Sequence, residues 1–294
     1  MKKQAYLKTI GILYLSVVLL AMSVALFIHS VFRFNLGLAA LIIFVLAIPF
    51  SFIGFKLLMA REKNKPYVKL HKECREELYK NGYSEKFFEL SEKAINAHKN
   101  GEKINSVYLK DFVLFSVDYY NATEQYDKAL SYIMLLNENS FTARDTRFID
   151  YGMSALMYYG CLIETYRGLK DKENAIKVIE RAKPLLDGEF KAEVLEMSAY
   201  TIYYNYYMLI ENYERAQEYL GKLLAFNSPE ADRYFPKYYL EAEYDLYLGK
   251  REDAVSALRK MEPLLEGESK TLLCFYYSRY AERLGLKEIA TQDK

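Results

Sequence analysis

Two long runs without a charged side chain lie within the first sixty residues. The first covers residues 9–32 and the second covers residues 34–55, and Arg33 alone separates them. Each run matches the roughly 20 apolar residues that a helix needs to cross a hydrocarbon core of about 30 Å. Lipid offers the backbone no hydrogen-bond partners, so a spanning segment must be helical. The sequence therefore predicts two membrane-spanning helices, near 9–30 and 36–57, joined by a tight turn.

A cleaved signal peptide is the alternative interpretation of the first run. The start Met1-Lys2-Lys3 is basic, as in a signal peptide. However, the apolar region of a signal peptide covers only about 7–15 residues and ends at a small-residue cleavage motif. This run is longer, lacks a clear motif of that kind, and is followed at once by a second apolar run. The pattern favours an uncleaved membrane hairpin.

Basic residues flank the two predicted spans unevenly. The segment between the spans contains only Arg33, whereas the outer flanks contain Lys2, Lys3, Lys8, Lys56, Arg61, Lys63, Lys65 and Lys69. Cytoplasmic loops carry the excess of Lys and Arg, so both termini and the large C-terminal part are expected in the cytoplasm. Three cysteines without a close pair agree with a reducing compartment. The Lys, Tyr, Ile and Asn usage suggests a bacterial cytoplasmic membrane.

Charge balance argues against nucleic acid as a partner. The first sixty residues contain five basic and no acidic residues, which leaves 35 basic and 39 acidic residues in 61–294. Non-specific nucleic-acid binding depends on surplus Lys and Arg. The C-terminal part is slightly acidic, so a protein or peptide partner is expected instead.

The C-terminal part contains an internal repeat. Residues 175–191 and 254–270 align at an offset of 79 without a gap, and they share Ala, Pro-Leu-Leu, Gly-Glu and Lys. Alanines in similar contexts stand at 129, 175, 216, 254 and 290, with spacings of 46, 41, 38 and 36 residues. Each unit contains an aromatic-rich segment, a short polar turn and a second segment with helical apolar spacing. A period of this length predicts an array of helical hairpins.

These units resemble the tetratricopeptide-repeat (TPR) family. With Ala175 at consensus position 20, five further consensus positions are occupied by Tyr159, Leu162, Tyr166, Ile179 and Ala182. The resemblance covers roughly 108–294, with a degenerate hairpin at 66–100. It departs from the family where Ile163 and Tyr204 replace a small residue and where the spacing between successive units exceeds 34 residues. The resemblance implies an α-solenoid, and other α-solenoids fit the same pattern.

The predicted fold is therefore all-α. It consists of a transmembrane hairpin in 1–60, a basic linker and degenerate hairpin in 61–107, and TPR-like repeats in 108–294. Among five tyrosines within residues 200–207, only Tyr206 lies off the packing positions of the repeat, so this cluster is interpreted mainly as core.

The TPR resemblance implies a partner-binding groove on the first helix of each repeat. The same alignment assigns this groove Asp118, Asn121, Glu164, Arg167, Thr201, Asn205, Tyr239 and Glu243, to which the off-pattern Tyr206 is added. One consensus position reads Asp118, Glu164, Asn205, Glu243 and Arg279 in successive repeats. Its first four members are acidic or polar, so a basic partner segment is expected. A solvent-exposed polar face is the alternative explanation. The Lys/Asn-rich clamp of TPR domains that bind acidic chaperone tails is missing.

No enzyme signature is present. The sequence lacks the phosphate-binding, dinucleotide-binding, zinc-protease and nucleophile-elbow motifs. His71 and Cys74 share one helical face and could be two metal ligands, but a tetrahedral site needs four and no second pair appears. No enzyme activity, cofactor or metal is therefore expected.

The expected function is that of a membrane-anchored scaffold for protein–protein interaction. The alternative is a structural subunit of a membrane machine for secretion, transport or envelope assembly, with the hairpin packing on other spans. Gly37, Ala39, Ala40 and Ala47 are small enough for such close helix contacts. A membrane enzyme of an unrecognised type is a third class.

Overall fold

A computed structural model of the 294-residue chain describes residues 2–32, 36–63, 65–141, 149–190, 192–227, 237–265 and 270–285. Every regular element in these ranges is a helix. The chain divides into two compact units, Met1–Lys69 and Leu70–Lys294. The all-helical fold class is thus confirmed.

The first unit contains helices α1 (Lys2–Phe32) and α2 (Leu36–Lys63), which pack against each other. Small side chains fill their contact, where Ala25, Ala47 and Ser51 are buried. The large apolar side chains point outward, and Leu20 and Phe27 are 70% and 72% exposed. The segments Thr9–Phe27 and Ala39–Leu58 are long and apolar enough to cross a membrane. Their outward-facing apolar surface is unlike that of a core helix in a soluble protein.

The second unit is a series of shorter helices. After α3 (Pro66–Asn81), within which the unit boundary falls, the helices are α4 (Glu85–Lys99), α5 (Ser106–Ala122), α6 (Tyr126–Ile133), α7 (Ile149–Leu169), α8 (Lys172–Leu186), α9 (Glu193–Leu209), α10 (Tyr213–Leu224), α11 (Lys237–Tyr247), α12 (Arg251–Arg259) and α13 (Lys270–Arg283). Single 3-10 turns cover Glu138–Phe141 and Glu262–Leu264. The linker expected near 60–66 is largely helical, because α2 continues to Lys63 and α3 begins at Pro66.

Each hairpin turns in the same way. The first helix is followed by one residue with left-handed backbone, at Gly82, Glu124, Lys170, Glu211, Gly249 and Gly285, with φ between 57° and 75°. A polar side chain often caps the next helix, as where Asp171 accepts a hydrogen bond from the Asn174 amide at 3.0 Å. Such a cap satisfies an amide that has no partner within the helix.

The repeat alanines stand at a constant distance from these turns. The residue five positions after the left-handed one is Ala129, Ala175, Ala216 or Ala254 in four successive hairpins, and each is 0% exposed. The turns therefore follow the alanine spacing read from the sequence. Phe87 occupies the same place after Gly82 and is also fully buried, which extends the pattern into the hairpin expected at 66–100. The alanine at 290 lies outside the described residues.

Neighbouring hairpins stack through their first helices. Helix α7 packs on α5 and on α9, and the first helices α5, α7 and α9 also pack on their own second helices. Helix α11 packs on α10, α12 and α13. Helix α9 reaches α11 through the Tyr204 phenol, which donates a hydrogen bond of 3.2 Å to the Leu240 carbonyl. The consequence for function is that side chains on α5, α7, α9, α11 and α13 can meet on one face.

We expect Ala175→Leu and Ala216→Leu to lower the free energy of unfolding by about 1–3 kcal/mol each, because a filled site next to a hairpin turn cannot take three more heavy atoms without strain. The measurement is the urea midpoint of the helical circular dichroism signal of the full chain in detergent. Ile176→Leu, at the adjacent exposed position, is the control and should leave the midpoint unchanged. Unchanged midpoints for both alanine variants would contradict this packing register.

Candidate functional site

Five successive first helices direct one residue each toward a shared inner face. These residues are Asp118 on α5, Glu164 on α7, Asn205 on α9, Glu243 on α11 and Arg279 on α13. Their spacing follows the repeat, so helical periodicity places them on corresponding faces. The sequence predicted an open polar strip here. In the structure the strip is crossed by hydrogen bonds and ion pairs between distant parts of the chain.

Arg167 connects three of these helices. From α7, its guanidinium lies 2.9 Å from Glu243 on α11 and donates a hydrogen bond of 2.7 Å to Asn205 on α9. Glu243 also accepts a hydrogen bond of 3.0 Å from Tyr280 on α13. Burial is the largest single influence and lowers the pKa of Arg167. The charge and hydrogen bond of Glu243, together with Tyr204 and Tyr280, outweigh it, so the pKa of Arg167 is raised. The predicted groove residues Arg167, Asn205 and Glu243 therefore form a structural network.

Asp118 joins the first and last parts of the second unit. Its carboxylate accepts hydrogen bonds from the phenol of Tyr83, in the turn before α4, and from that of Tyr276 on α13, the latter at 3.1 Å. Phe275 packs its ring 5.4 Å from Tyr83, centroid to centroid. Burial raises the pKa of Asp118, and the two phenol hydrogen bonds oppose the rise. The inner face is thus closed by contacts between residues 158 positions apart.

A cluster of charges lies at the exposed edge of this face. Arg279 and Arg283 on α13 both contact the carboxylate of Glu124, the left-handed residue after α5. Next to them, the ring of Tyr126 lies directly on Gly168, where a side chain would overlap it. The glycine at the end of α7 therefore makes room for an aromatic wall.

These contacts enclose a cavity of about 240 Å³. Its wall combines acidic, basic and aromatic side chains, chiefly Glu124, Tyr126, Glu164, Arg167, Tyr239, Glu243, Tyr276, Arg279, Tyr280 and Arg283. The rings of Tyr239 and Tyr276 stack with centroids 5.4 Å apart and planes 5° apart. Tyr280 lies 5.1 Å from Tyr239. We call this space the tyrosine cavity.

Glu164 is the one wall carboxylate that has no hydrogen bond or ion pair with any described residue. Burial raises its pKa to about 8, with a further rise from the charge of Asp118, and the charge of Arg167 opposes the shift. A carboxyl group of this kind is mostly protonated at neutral pH and can take up a counter-ion or release a proton. Such shifted groups in a cavity mark candidate functional sites.

Three predicted groove residues make contacts apart from the network of Arg167, although Asn121 also lines the cavity. Asn121 is buried, where its amide donates to the Cys161 carbonyl at 2.9 Å and accepts from Thr165 at 2.8 Å. Thr201 donates to the carbonyl of Met197, one turn earlier on α9. Tyr206 contacts the ring of Tyr207, with centroids 5.2 Å apart. Neither Thr201 nor Tyr206 belongs to the cavity wall.

The tyrosine stretch of α9 has several environments as well. Tyr204 is fully buried, as is expected for a packing residue. Tyr203 donates to Asp187 at 2.5 Å, beside an open hollow of about 620 Å³ that Tyr200, Tyr219 and Lys222 also line. The ammonium of Lys222 stands 4.4 Å from the ring centroid of Tyr219 and 2.7 Å from Glu218. The phenol of Tyr203 and the ammonium of Lys222 thus have partners in the chain.

The two candidate metal ligands have separate partners. His71 Nε2 lies 2.7 Å from Asp111 Oδ2, and Cys74 Sγ lies 3.4 Å from Ser91 Oγ. Their side chains therefore connect α3 to two different helices, α5 and α4. Within the described ranges, no group of three or more His, Cys, Asp or Glu side chains is placed to hold a metal ion.

The main residues that sequence reasoning missed are aromatic and come from outside the aligned groove positions. Tyr126 begins α6, while Tyr276 and Tyr280 belong to the last helix, which the groove assignment did not include. Arg279 was read from the sequence at the same repeat position as Glu164 but was not assigned to the groove, and it lines the cavity. The tyrosines carried no such signal, because tyrosine is common at packing positions throughout this chain.

Searches against protein-family models, curated proteins and solved structures found no match to this chain. The functional argument therefore depends on the geometry described above.

We expect Arg167→Met to lower the free energy of unfolding by about 2–3 kcal/mol, because Glu243 would keep its charge without its cationic partner. Combining it with Glu243→Gln should restore part of the loss, giving a coupling of about 1–3 kcal/mol in a double-mutant cycle. The exposed pair Lys177–Glu173 is the control and should show no measurable coupling. Additive effects of Arg167→Met and Glu243→Gln would show that the inner ion pair does not stabilise the fold.

We expect the stability of Glu164→Gln relative to the parent chain to depend on pH. The pKa of Glu164 is about 8 when folded and has its ordinary value of 4.5 when unfolded, so the folded state holds a proton that the unfolded state lacks between these values. Raising the pH from 4.5 to 8 therefore removes stability from the parent chain and not from the variant. Each unit of pKa difference corresponds to at most about 1.4 kcal/mol, reduced by water in the cavity.

The measurement is urea unfolding of both chains at pH 5, 6.5 and 8.5. Glu180→Gln, on the exposed face of α8, should differ from the parent by the same amount at every pH. A constant difference between Glu164→Gln and the parent would mean that Glu164 titrates normally in the folded chain.

Proposed function

We propose that this chain is a membrane-anchored, non-enzymatic docking protein. Helices α1 and α2 anchor it in the membrane, and the helices after residue 70 form a TPR-like α-solenoid that binds a protein or peptide through its inner face. The closure of that face limits how much of a partner can enter. A single inserted side chain fits a cavity of about 240 Å³, whereas an extended peptide does not.

The observation that carries this proposal is the unpaired Glu164 in the wall of the tyrosine cavity. The other charges of the inner face are used: Arg167 contacts Glu243, and the two arginines of α13 contact Glu124. A carboxyl group without a partner is costly inside a fold unless a ligand supplies one. The carboxyl group of Glu164 is thus available to interact with a second molecule.

Anchoring gives the docking mechanism its effect. A site held at a membrane meets partners at a higher local concentration than a freely diffusing one, so weak contacts suffice for recruitment. The basic flanks support a cytoplasmic position for the helical domain. By this proposal the chain is an integral membrane protein with both termini in the cytoplasm.

A catalytic use of the cavity is less well supported. Glu164 has a raised pKa, as general acid–base residues do. Acid–base chemistry on a substrate needs a second group, and the carboxylates of Asp118 and Glu243 are occupied by hydrogen bonds from tyrosines. In the described wall, Glu164 alone is free, which favours binding over catalysis.

The alternative function as a subunit of a membrane machine depends on the hairpin. One of the small residues that suggested contacts with other spans, Ala47, is 1% exposed because it packs against α1. The large exposed side chains of both helices fit lipid as well as neighbouring spans. No feature of the hairpin favours this alternative over the docking function.

We expect a photo-crosslinking residue at position 279, on the cavity wall, to capture one defined partner in intact cells, because that partner inserts into the tyrosine cavity. The same residue at position 180, on the outer face of α8, should capture none. Adding Glu164→Gln should reduce the product at position 279. Gel mobility and mass spectrometry provide the measurement.

The membrane-machine alternative predicts a different result from the same experiment. A crosslinker at position 20, which is exposed on α1, would then yield a protein product, and the product at position 279 would be absent or insensitive to Glu164→Gln. Equal products at positions 180 and 279 would contradict docking on the inner face.

We expect a membrane-impermeant maleimide to label Arg33→Cys in intact cells and to leave Lys294→Cys unlabelled, because the basic flanks hold both ends inside. The parent chain, whose Cys74 and Cys161 are buried, is the control for background labelling. Lysed cells should show labelling at position 294. Labelling of position 294 before lysis would overturn the cytoplasmic assignment.

A further inference from the structure

The charges of the tyrosine cavity do not cancel in pairs. Arg167 is held by Glu243 at 2.9 Å and by Asn205 at 2.7 Å, so its guanidinium is committed to the chain. Arg279 and Arg283 share Glu124 at the exposed edge. Glu164 has no such partner in the described chain. The wall group left without a partner is therefore a carboxyl group, and a cation would complement its ionised form.

Aromatic rings surround the same space. The ring of Tyr239 lies between two others. Its centroid is 5.4 Å from that of Tyr276 and 5.1 Å from that of Tyr280. The phenol of Tyr276 is fixed by Asp118 and that of Tyr280 by Glu243, so both rings are held in place. Tyrosine faces attract ammonium and guanidinium groups, and such aromatic cages recognise organic cations.

Glu164 lies close to these rings. Burial raises the pKa of Tyr239 and of Tyr276, and the charge of Glu164 contributes to both shifts. A cation seated against the rings would therefore also meet the carboxylate. An organic cation is bound by this combination of a counter-ion and an aromatic face. An apolar ligand would gain no favourable interaction from the carboxylate.

We infer that the tyrosine cavity binds one monovalent organic cation, an ammonium or guanidinium group, with Glu164 as its counter-ion and the rings of Tyr239, Tyr276 and Tyr280 as its cage. The group can belong to a lysine or arginine side chain of a partner or to a free small amine. This inference deepens the proposed docking function and rests on it only where the cation comes from a partner protein.

Other ligand classes fit the site less well. Pockets for drug-sized molecules measure about 300–1,000 Å³, and this cavity measures about 240 Å³. Magnesium and calcium ions need several oxygen ligands, and one carboxylate of the described wall is free. An anion would have to compete with Glu243 and Glu124 for arginines that they already hold.

Binding of a cation should also depend on pH. The empty site favours the protonated form of Glu164, so a cation must displace that proton, and affinity should rise as pH increases toward 8. Arg167 lies near Glu164 on the same helix, α7. The groups near Glu164 from other elements are Tyr83 before α4, Asp118 on α5, Tyr126 on α6, Tyr239 and Glu243 on α11, and Tyr276 and Arg279 on α13. Asp118, whose pKa is also raised by burial, would shift binding in the same direction.

The experiment is calorimetric titration of the full chain in detergent with tetramethylammonium and methylguanidinium, whose charges do not change between pH 6 and 9. Both should bind, more tightly at pH 8.5 than at pH 6. Glu164→Gln should weaken methylguanidinium binding about 10- to 150-fold, as for loss of a charge-assisted hydrogen bond. Glu180→Gln, on the outer face of α8, is the matched control and should bind as the parent does.

The cage is tested separately from the counter-ion. Tyr239→Leu should weaken tetramethylammonium binding about 2- to 30-fold, since the cation loses one aromatic face, and Tyr239→Phe should retain it. Circular dichroism verifies that each variant is folded. Equal binding by the parent, Glu164→Gln and Tyr239→Leu would overturn the inference, as would acetate binding more tightly than either cation.

Two further ligands distinguish the sources of the cation. A ten-residue peptide with a central arginine and free agmatine are titrated under the same conditions. Binding of both supports a partner side chain as the ligand. Binding of agmatine without the peptide would support the cation site and contradict the proposed docking function. If neither ligand binds, and tetramethylammonium and methylguanidinium do not bind either, the cation site is overturned.

Discussion

The contact of Arg167 with Glu243 and Asn205 is the interaction on which the inner face depends. It joins α7, α9 and α11, which belong to three successive hairpins. The same carboxylate receives the phenol of Tyr280 from α13, so one ion pair organises four helices. Because removing one partner of an enclosed ion pair leaves the other charge uncompensated, this contact also explains how polar groups on the inner face can stabilise the packing of these helices.

The second consequence of this arrangement is the conversion of an open strip into a cavity. Tyr276 and Phe275 of α13 contact residues near α4 and α5, so the ends of the second unit meet across the inner face. Most polar groups satisfy one another there, as buried polar groups generally do. Glu164 is an exception, because its carboxyl group has no hydrogen bond or ion pair with a described residue. A wall whose side chains are already held in place loses little further freedom on binding a ligand, which favours recognition of a small group.

Each helical hairpin is defined by two positions close in the sequence. A left-handed residue ends the first helix, and an alanine five residues later allows the second helix to approach closely. Glycine takes the left-handed position without strain, yet Glu124, Lys170 and Glu211 occupy it in three hairpins. At Glu124 the reason is visible, since this side chain holds Arg279 and Arg283 at the edge of the cavity.

The sequence by itself determined the helical fold class, the two apolar segments, the spacing of the hairpin turns and the corresponding repeat positions of Asp118, Glu164 and Glu243. All of these depend on local composition or on the period of one helix, which sequence displays directly. Only the tertiary structure decided that Asn121 is buried, that Arg167 pairs with Glu243, and that α13 closes the inner face over Glu164. These contacts join residues up to 159 positions apart. They depend on the rotation accumulated from one hairpin to the next, which is set by side-chain packing between helices and is not encoded in the period of any one of them.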